Sequence, residues 1–335
     1  MAKQTGKAPT LTDVARAAGT STAVVSYVMN NGPRPVAAAT RERVLAAAAE
    51  LDYRPNHIAR ALRSRTTGVV GLILADASNP YFGALARHVE QALDKHGKLT
   101  LTGNAGYSAD RQEHLADKFL SAQVDGLIVV SADGGADVAD QVKRAGVPAV
   151  YVHNQPEDEG TPAVTADNEA AVQQAVAHLR GHGHTRIAFL AGPRDAGPVG
   201  RRRATWETAL AGTGEAPLLR CAYSRAAAAA LTGQLISEGT MPAALITATD
   251  EQAIGVLAAA RTHKLPVPDR LAVISLDGTP DSAYTAPALT VTRQPLEAMA
   301  ARAVDLLLGS EAAAPPTPHA PLVVRGSCGC ATADS

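Results

Sequence analysis

The sequence predicts two bodies in one chain. A small all-α module occupies the first 66 residues, and an α/β core of two doubly wound parallel-sheet lobes follows. Three observations carry this. Up to residue 66 the apolar residues fall at helical spacings, whereas from Gly68 short β-rich runs alternate with helical stretches. The chain has 335 residues, enough after the switch for two α/β units of ordinary size. Charge also divides at the switch. The whole chain is near neutral at −1, but residues 1–66 hold ten Lys and Arg against four Asp and Glu, a net of +6, and the remainder nets −7.

Composition narrows the function classes. The opening MAKQTGKAPT has no apolar stretch after its lysines, so no secretory leader is expected. The longest apolar runs, such as Val69 to Ala75, are too short to span a bilayer. Three cysteines, Cys221, Cys328 and Cys330, are too few for a disulfide framework. These features point to a cytoplasmic protein without a membrane partner.

The first helix opens at Thr10-x-x-Asp13, a capping-box pattern, and carries Val14, Ala15 and Ala18 as an apolar stripe. Gly19 suits the left-handed residue that ends it. Ser21 caps a second helix from Thr22 after a turn of about three residues, the spacing of a helix-turn-helix. At 100° per residue Val25, Val28 and Met29 share one side, and Thr22, Ala23, Ser26, Tyr27 and Asn30 the other. The second face, small and polar with one tyrosine, suits a DNA groove. A third helix is expected from Ala38 to Leu51, with Val44, Leu45, Ala48 and Leu51 inward and Arg41 placed for a phosphate contact. A plain three-helix bundle that binds protein is the alternative. The local +6 favours nucleic acid, because phosphate neutralisation dominates DNA affinity.

Pro55 stops the third helix, and Asn56 can cap a short helix running to about Ser64 with Ile58, Ala61 and Leu62 at i, i+3 and i+4. So short a helix is marginal alone. It reads either as a charged linker or as a segment that folds on binding.

Candidate strands in the core begin at Gly68, Lys98, Gly126, Ala149, Arg186, Ala244 and Leu271. Helical segments between them include Tyr81–His96, Arg111–Ala122, Asn168–His182 and Gln252–His263. This alternation gives right-handed βαβ units and parallel sheets. Ligands of such sheets bind beyond the C-terminal strand ends, so two facing lobes make a cleft. Glu311 to Pro321 is Ala/Pro-rich and reads as a loop.

Together TLTDVARAAG, VSYVMN, TRERVLAAAAELDYRPNHIARALRSRTTG, GLILADASNPYFGAL, HLRGHGHTRIAFLAGP, TATDEQAIG and LTVTRQP resemble the LacI family of bacterial transcription regulators, from about Thr10 to Arg325. The resemblance implies a homodimer in which each subunit has a helix-turn-helix headpiece (1–54), a hinge helix and linker (55–66) and a periplasmic-binding-protein-like effector core (67–335). Within the core it implies a first lobe of about 67–166 and 295–323, and a second of about 167–294 and 324–335. A two-fold dimer implies a palindromic operator. By position, Thr22, Ala23 and Tyr27 become base readers, and Ser21, Ser26 and Asn30 backbone contacts. Leu62 becomes the hinge wedge in the minor groove, with Asn56 and Ala59 beside it. Many members have arginine at Tyr27 and a longer polar residue at Ala23, so base preference does not transfer. Ala37 stands where a capping serine is frequent.

The resemblance also implies an effector, expected to be a sugar, contacted by Tyr81, Phe82, His153, Asn154, Arg202, Trp206, Thr249, Asp250, Asp277 and Gln294. Asp and Arg offer paired hydrogen bonds to hydroxyls, and aromatic faces cover a sugar ring. His153 and Thr249 depart from the Asp/Asn and Asn of sugar-responsive members. Asp250 and Asp277 can instead cap turns, and Arg202 lies in a run of three arginines that could face solvent.

His182-Gly-His184 and Cys328-Gly-Cys330 are each set aside as metal ligands. The first reads as a turn at a helix end, and the second lacks a further cysteine cluster. No nucleotide loop, nucleophile elbow or convergent acid/base pair is present, so neither a cofactor nor an enzyme is expected. The leading reading is an effector-controlled regulator, more readily a repressor. The class alternative is a solute-binding protein without regulatory DNA binding.

Overall fold

The computed structural model describes residues 9–30, 34–54, 66–130, 136–154, 160–195, 197–212, 217–310 and 317–330. Expectations placed on Asn56, Ala59 and Leu62, and on the hinge helix they define, lie outside these residues. The chain divides into two compact units, Met1–Thr67 and Gly68–Ser335. No helix among the described residues is long and apolar enough to cross a membrane.

The first unit holds α1 (Leu11–Ala17), α2 (Thr22–Met29) and α3 (Ala38–Glu50). Thr10 and Asp13 form the expected capping box. The Asp13 carboxylate accepts from the Thr10 N–H at 2.9 Å, and the Asp13 N–H donates to the Thr10 hydroxyl at 3.3 Å. Gly19 turns the chain at φ 61°, and Ser21 Oγ accepts from the Val24 N–H at 3.3 Å. Val14, Ala15, Ala18, Val25, Val28, Val44, Ala47 and Ala48 form one buried core. Leu45, expected inward, is 44% exposed. The inward stripe of α3 instead runs through 44, 47, 48 and 51, the i, i+3, i+4, i+7 register, and Leu45 stands a step off it.

The second unit contains two sheets. The first, in the order β2-β1-β3-β4-β5, is built from Val69–Leu74 (β1), Leu99–Asn104 (β2), Gly126–Val130 (β3), Ala149–Val152 (β4) and Ala163–Val164 (β5), all parallel. The second, in the order β11-β10-β9-β8-β6-β7, uses Ile187–Ala191 (β6), Leu218–Arg220 (β7), Ala244–Thr247 (β8), Ala272–Ser275 (β9), Thr290–Thr292 (β10) and Leu322–Val323 (β11). Strands β6 to β10 repeat the topology of β1 to β5, and β11 adds an antiparallel edge. In both sheets strand order reverses beside the first strand, which opens a crevice at the C-terminal strand ends.

Both sheets are covered on both faces, so their central strands are continuous apolar runs with alternate residues packing on opposite sides. In β1, Leu72 and Leu74 pack under α4 (Pro80–Lys95), while Ile73 faces the layer of α5 (Ala109–Ser121) and α6 (Ala136–Ala145). In β6, Ile187 and Phe189 pack on α7 (Asn168–Gly181) and α8 (Gly197–Leu210). Ala188 and Leu190 face α9 (Arg225–Ser237) and α10 (Asp250–Thr262). The last helix, α11 (Leu296–Leu308), returns to the first lobe through Met299, Ala303 and Leu307.

One expected boundary moves. Leu322 and Val323, assigned by sequence to the first lobe, pair with Thr292 and Val291 of β10 in the second sheet. The return crossing therefore ends before residue 322. There the Pro318 carbonyl accepts from Asp167 N–H and the Pro321 carbonyl from Arg293 N–H, tying the connecting segments together.

Candidate functional site

On α2, Thr22 and Ala23 are exposed, and Tyr27 is half-buried with its ring 5.7 Å from the Arg34 guanidinium. Asn30 Nδ2 donates to the Ser26 carbonyl at 2.8 Å and lies 3.3 Å from its hydroxyl, so these two side chains hold each other against the helix end. Ser21 is occupied as the cap. Arg41 is exposed at the start of α3. Sequence reading missed Arg34, because proximity across the turn to a tyrosine ring leaves no periodic signal.

Between the two lobes of the second unit, strand-end loops and helix starts line a narrow, partly open cleft with a free volume of about 30 Å³. The loop after β1 contributes Asn79, the first turn of α4 Tyr81 and Phe82, the loop after β2 Tyr107, and that after β4 His153. From the other lobe come Pro198, Val199 and Arg202 on α8, Tyr223 after β7, Thr249 after β8 and Asp277 after β9. Two broader troughs elsewhere on this unit are open to solvent.

One wall is aromatic. Tyr81 and Phe82 meet edge to face at 5.2 Å, Phe82 meets His153 at 5.6 Å, and Tyr107 faces Tyr223 across the lobes at 6.2 Å. His153 Nδ1 lies 2.9 Å from the Tyr81 hydroxyl. Burial, reinforced by Arg202 and Arg201, lowers the His153 pKa to about 3, so the ring is neutral. Burial raises the Tyr107 phenol to about 12 and Tyr81 further still. Both Tyr107 (φ 58°) and His153 (φ 74°) hold left-handed backbone, an uncommon choice for such bulky residues and one concentrated at functional sites.

The other wall is polar and centred on Arg202, which is 0% exposed. Its Nε donates to Asn168 Oδ1 at 2.8 Å, and its Nη1 donates to the Ala248 carbonyl at 2.7 Å and Asp277 Oδ1 at 3.3 Å. Its Nη2 has no hydrogen-bond partner among the described residues, and a buried donor left unmet is costly unless a ligand or water meets it. Burial raises the Asp277 carboxyl to about 7 against the downward pull of Arg202.

Tyr81, Phe82, His153, Arg202, Thr249 and Asp277, six of the ten positions the resemblance implies for an effector, thus line one cleft. The other four expected contacts lie behind the wall. Asp250 accepts from Ser275 and Thr279 hydroxyls and from Gly278 and Thr279 N–H groups, so its carboxylate organises the turn that presents Asp277. Trp206 is core: its indole donates to the Ile187 carbonyl at 2.8 Å and packs on Phe189, fixing α8 one turn from Arg202. Gln294 Nε2 donates to the Leu276 carbonyl. Asn154 is buried against Gly197, where a Cβ would lie 2.3 Å from its Oδ1. Similarly, a Cβ on Gly192 would lie 2.0 Å from the Tyr223 hydroxyl, so glycine there makes room for the tyrosine. Asn79, Tyr107, Pro198, Val199 and Tyr223 were not singled out from sequence. Applying the strand-end rule to KLTLTGNAGY would have found Tyr107.

Two family profiles match the chain: "Bacterial regulatory proteins, lacI family" over residues 10–56, and "Periplasmic binding protein-like domain" over residues 176–328. Catabolite control protein A of Priestia megaterium is 34% identical over 305 residues, covering 89% of this chain and 91% of its own. The Lac repressor dimer bound to operator and the anti-inducer ONPF superposes with a TM-score of 0.84 at 27% identity, covering 96% of this chain and 99% of that one. The complex of transcriptional regulator CelR with cellobiose gives a TM-score of 0.67 at 28% identity, covering 95% and 99%.

Proposed function

The chain belongs to the LacI family of bacterial regulatory proteins, and from that premise we propose a homodimeric, cytoplasmic repressor that holds a palindromic operator until a sugar enters the cleft. Thr22, Ala23 and Tyr27 read base edges, with Arg34 beside Tyr27 adding positive charge at the same face. Ser21, Ser26, Asn30 and Arg41 contact the backbone, and Leu62, flanked by Asn56 and Ala59, supplies the minor-groove wedge. A dimer is supported by Leu99 and Leu101, which share one face of edge strand β2 and remain 67% and 39% exposed.

The observation that carries the effector reading is Arg202. A fully buried guanidinium with one nitrogen unmet among the described residues, paired to Asp277 and faced by aromatic rings, presents what a vicinal diol and an apolar sugar face require. Ligand held by both lobes shifts their closure, and the change in operator affinity is a coupling free energy of about 1–3 kcal/mol. Of the two solved complexes above, the Lac repressor holds an anti-inducer and the transcriptional regulator CelR holds cellobiose.

Fluorescence anisotropy with operator and scrambled duplexes tests the DNA half. The operator is expected to bind at least about 1000-fold more tightly, and equal affinity for the two would favour the solute-binding alternative. A sugar panel followed through the single tryptophan, Trp206, tests the effector half. Arg202→Lys keeps the charge but loses the fork that spans Asn168, Ala248 and Asp277. It is expected to retain operator binding and lose the sugar response by about tenfold or more, the loss of one charge-assisted hydrogen bond. An unchanged response would remove Arg202 from the site.

A further inference from the structure

We propose that the second lobe carries a tetrahedral metal site of the zinc class, formed by His178, His182, Cys328 and Cys330. His178 and His182 stand four residues apart at the C-terminal end of α7, so their rings share one helix face. Cys328 closes the 3-10 turn Gly326–Cys328, and Gly329, at φ 100°, turns the chain so that Cys330 returns to the same helix. The four donor atoms lie within 4.8 Å of one another. His178 Nε2 is 3.2 Å from Cys328 Sγ and 3.5 Å from Cys330 Sγ, and His182 Nε2 is 3.2 Å from Cys330 Sγ. Zinc–sulfur bonds of about 2.3 Å and zinc–nitrogen bonds of about 2.0 Å, opened to the tetrahedral angle, separate nitrogen and sulfur by about 3.5 Å. The donors already stand near ligand spacing.

Neither pair set aside in the sequence predicts this. His182 pairs with His178, one helical turn back, rather than with His184, and the partners of the two cysteines lie 150 and 148 residues earlier in the chain. Two thiols and two imidazoles select a borderline-soft ion over magnesium or calcium. The Thr290 hydroxyl lies 3.1 Å from Cys328 Sγ, where it can donate to a thiolate and orient it. Cys328 is buried, His178 and Cys330 are half-buried and His182 is exposed, so an ion has a way in from the surface. On binding, both thiols release their protons to solvent and the imidazoles stay neutral. A dication with two thiolates then has no net charge. The ion pins the C-terminal segment to α7.

Full-length, untagged, chelator-stripped and reduced protein is titrated with Co²⁺ under anaerobic conditions. One equivalent is expected to bind, with intense tetrahedral d–d absorption and a near-ultraviolet thiolate-to-cobalt band, both abolished by one equivalent of Zn²⁺. Cys328→Ser combined with Cys330→Ser removes the near-ultraviolet band, whereas Cys221→Ser and His184→Gln leave it intact. Zn²⁺ raises the melting temperature of the wild type and not of the double variant. Because a variant can fail to fold, the wild-type titration decides alone. A weak octahedral spectrum, or no thiolate band at equimolar cobalt, overturns the proposal, as does a band that survives in the folded double variant.

Discussion

His153 concentrates the physics of the cleft in one residue. Its left-handed backbone costs on the order of 1 kcal/mol and is held by the packing that buries its ring beside Tyr81 and Phe82. The folded protein keeps that ring neutral down to about pH 3, whereas the unfolded chain takes up a proton near its ordinary pKa of 6.5. Its contribution to stability is therefore complete above pH 6.5 and is lost as pH falls toward 3. Asp277 works in the opposite sense. With its folded pKa raised from 3.8 to about 7, its contribution is complete below 3.8 and disappears as pH rises through 7. Comparing the wild type with His153→Gln holds the Asp277 part constant. In urea unfolding, the wild type is expected to lose about 2 kcal/mol more than the variant between pH 7.5 and pH 5. Equal losses would mean that the native ring takes up a proton. Position at a strand end made His153 and Asp277 legible in the sequence, whereas Arg202, inside α8, came only from the family resemblance. Strand-end position did not distinguish Asp277, which lines the cleft, from Asp250, whose lone pairs are spent on the turn behind it. Both are aspartates at strand ends, and only the folded turn separates their roles.

At the level of elements, legibility followed burial. Strands β1, β3, β6, β8 and β9 are buried and, apart from the terminal Thr247 and Ser275, without polar side chains because both faces are covered, and each was visible as a run. Strands β5, β7, β10 and β11 have two or three residues apiece, too short to show any period, and β11 was consequently placed in the wrong lobe. Helix α9 reads RAAAAALTGQLIS, where alanine on every face erases the polar contrast that marks a helix. The caps of the headpiece were legible because capping is local: Thr10, Asp13 and Ser21 act within three residues. The same locality makes α3 predictable. Its cap position, Ala37, has extended-type ψ of 139° and forms no side-chain bond. Ala37→Ser supplies an acceptor for the first-turn N–H groups and is expected to stabilise the helix by about 1 kcal/mol. In the full chain, amide hydrogen exchange along α3 should slow about fivefold. Unchanged exchange would mean that the first turn of α3 is already satisfied by other partners.

The whole molecule is organised by a charge division that its near-zero total conceals. Ten basic residues against four acidic ones precede residue 67, and the −7 beyond it belongs to the unit that holds the cleft. Negative charge on the sensing unit opposes non-specific adhesion of that unit to DNA, while the headpiece keeps an attraction that every sequence shares. Recognition by a dimer then separates into two measurable parts. Phosphate contacts set the salt dependence, and base contacts set the ratio between operator and scrambled duplex. Arg41, exposed at the start of α3, is proposed to belong to the first part, and Tyr27, on the outer face of α2, to the second. Arg41→Gln is expected to weaken both duplexes by a similar factor and to flatten the log affinity–log salt plot by about one unit per half-site. Tyr27→Ala is expected to leave that slope unchanged and to reduce the operator preference by about 1–3 kcal/mol per half-site, the range for one direct base contact. Anisotropy titrations between about 50 and 200 mM salt resolve both quantities. If Arg41→Gln altered the preference rather than the slope, the arginine would be reading bases, and the division of labour between α2 and α3 would be reversed.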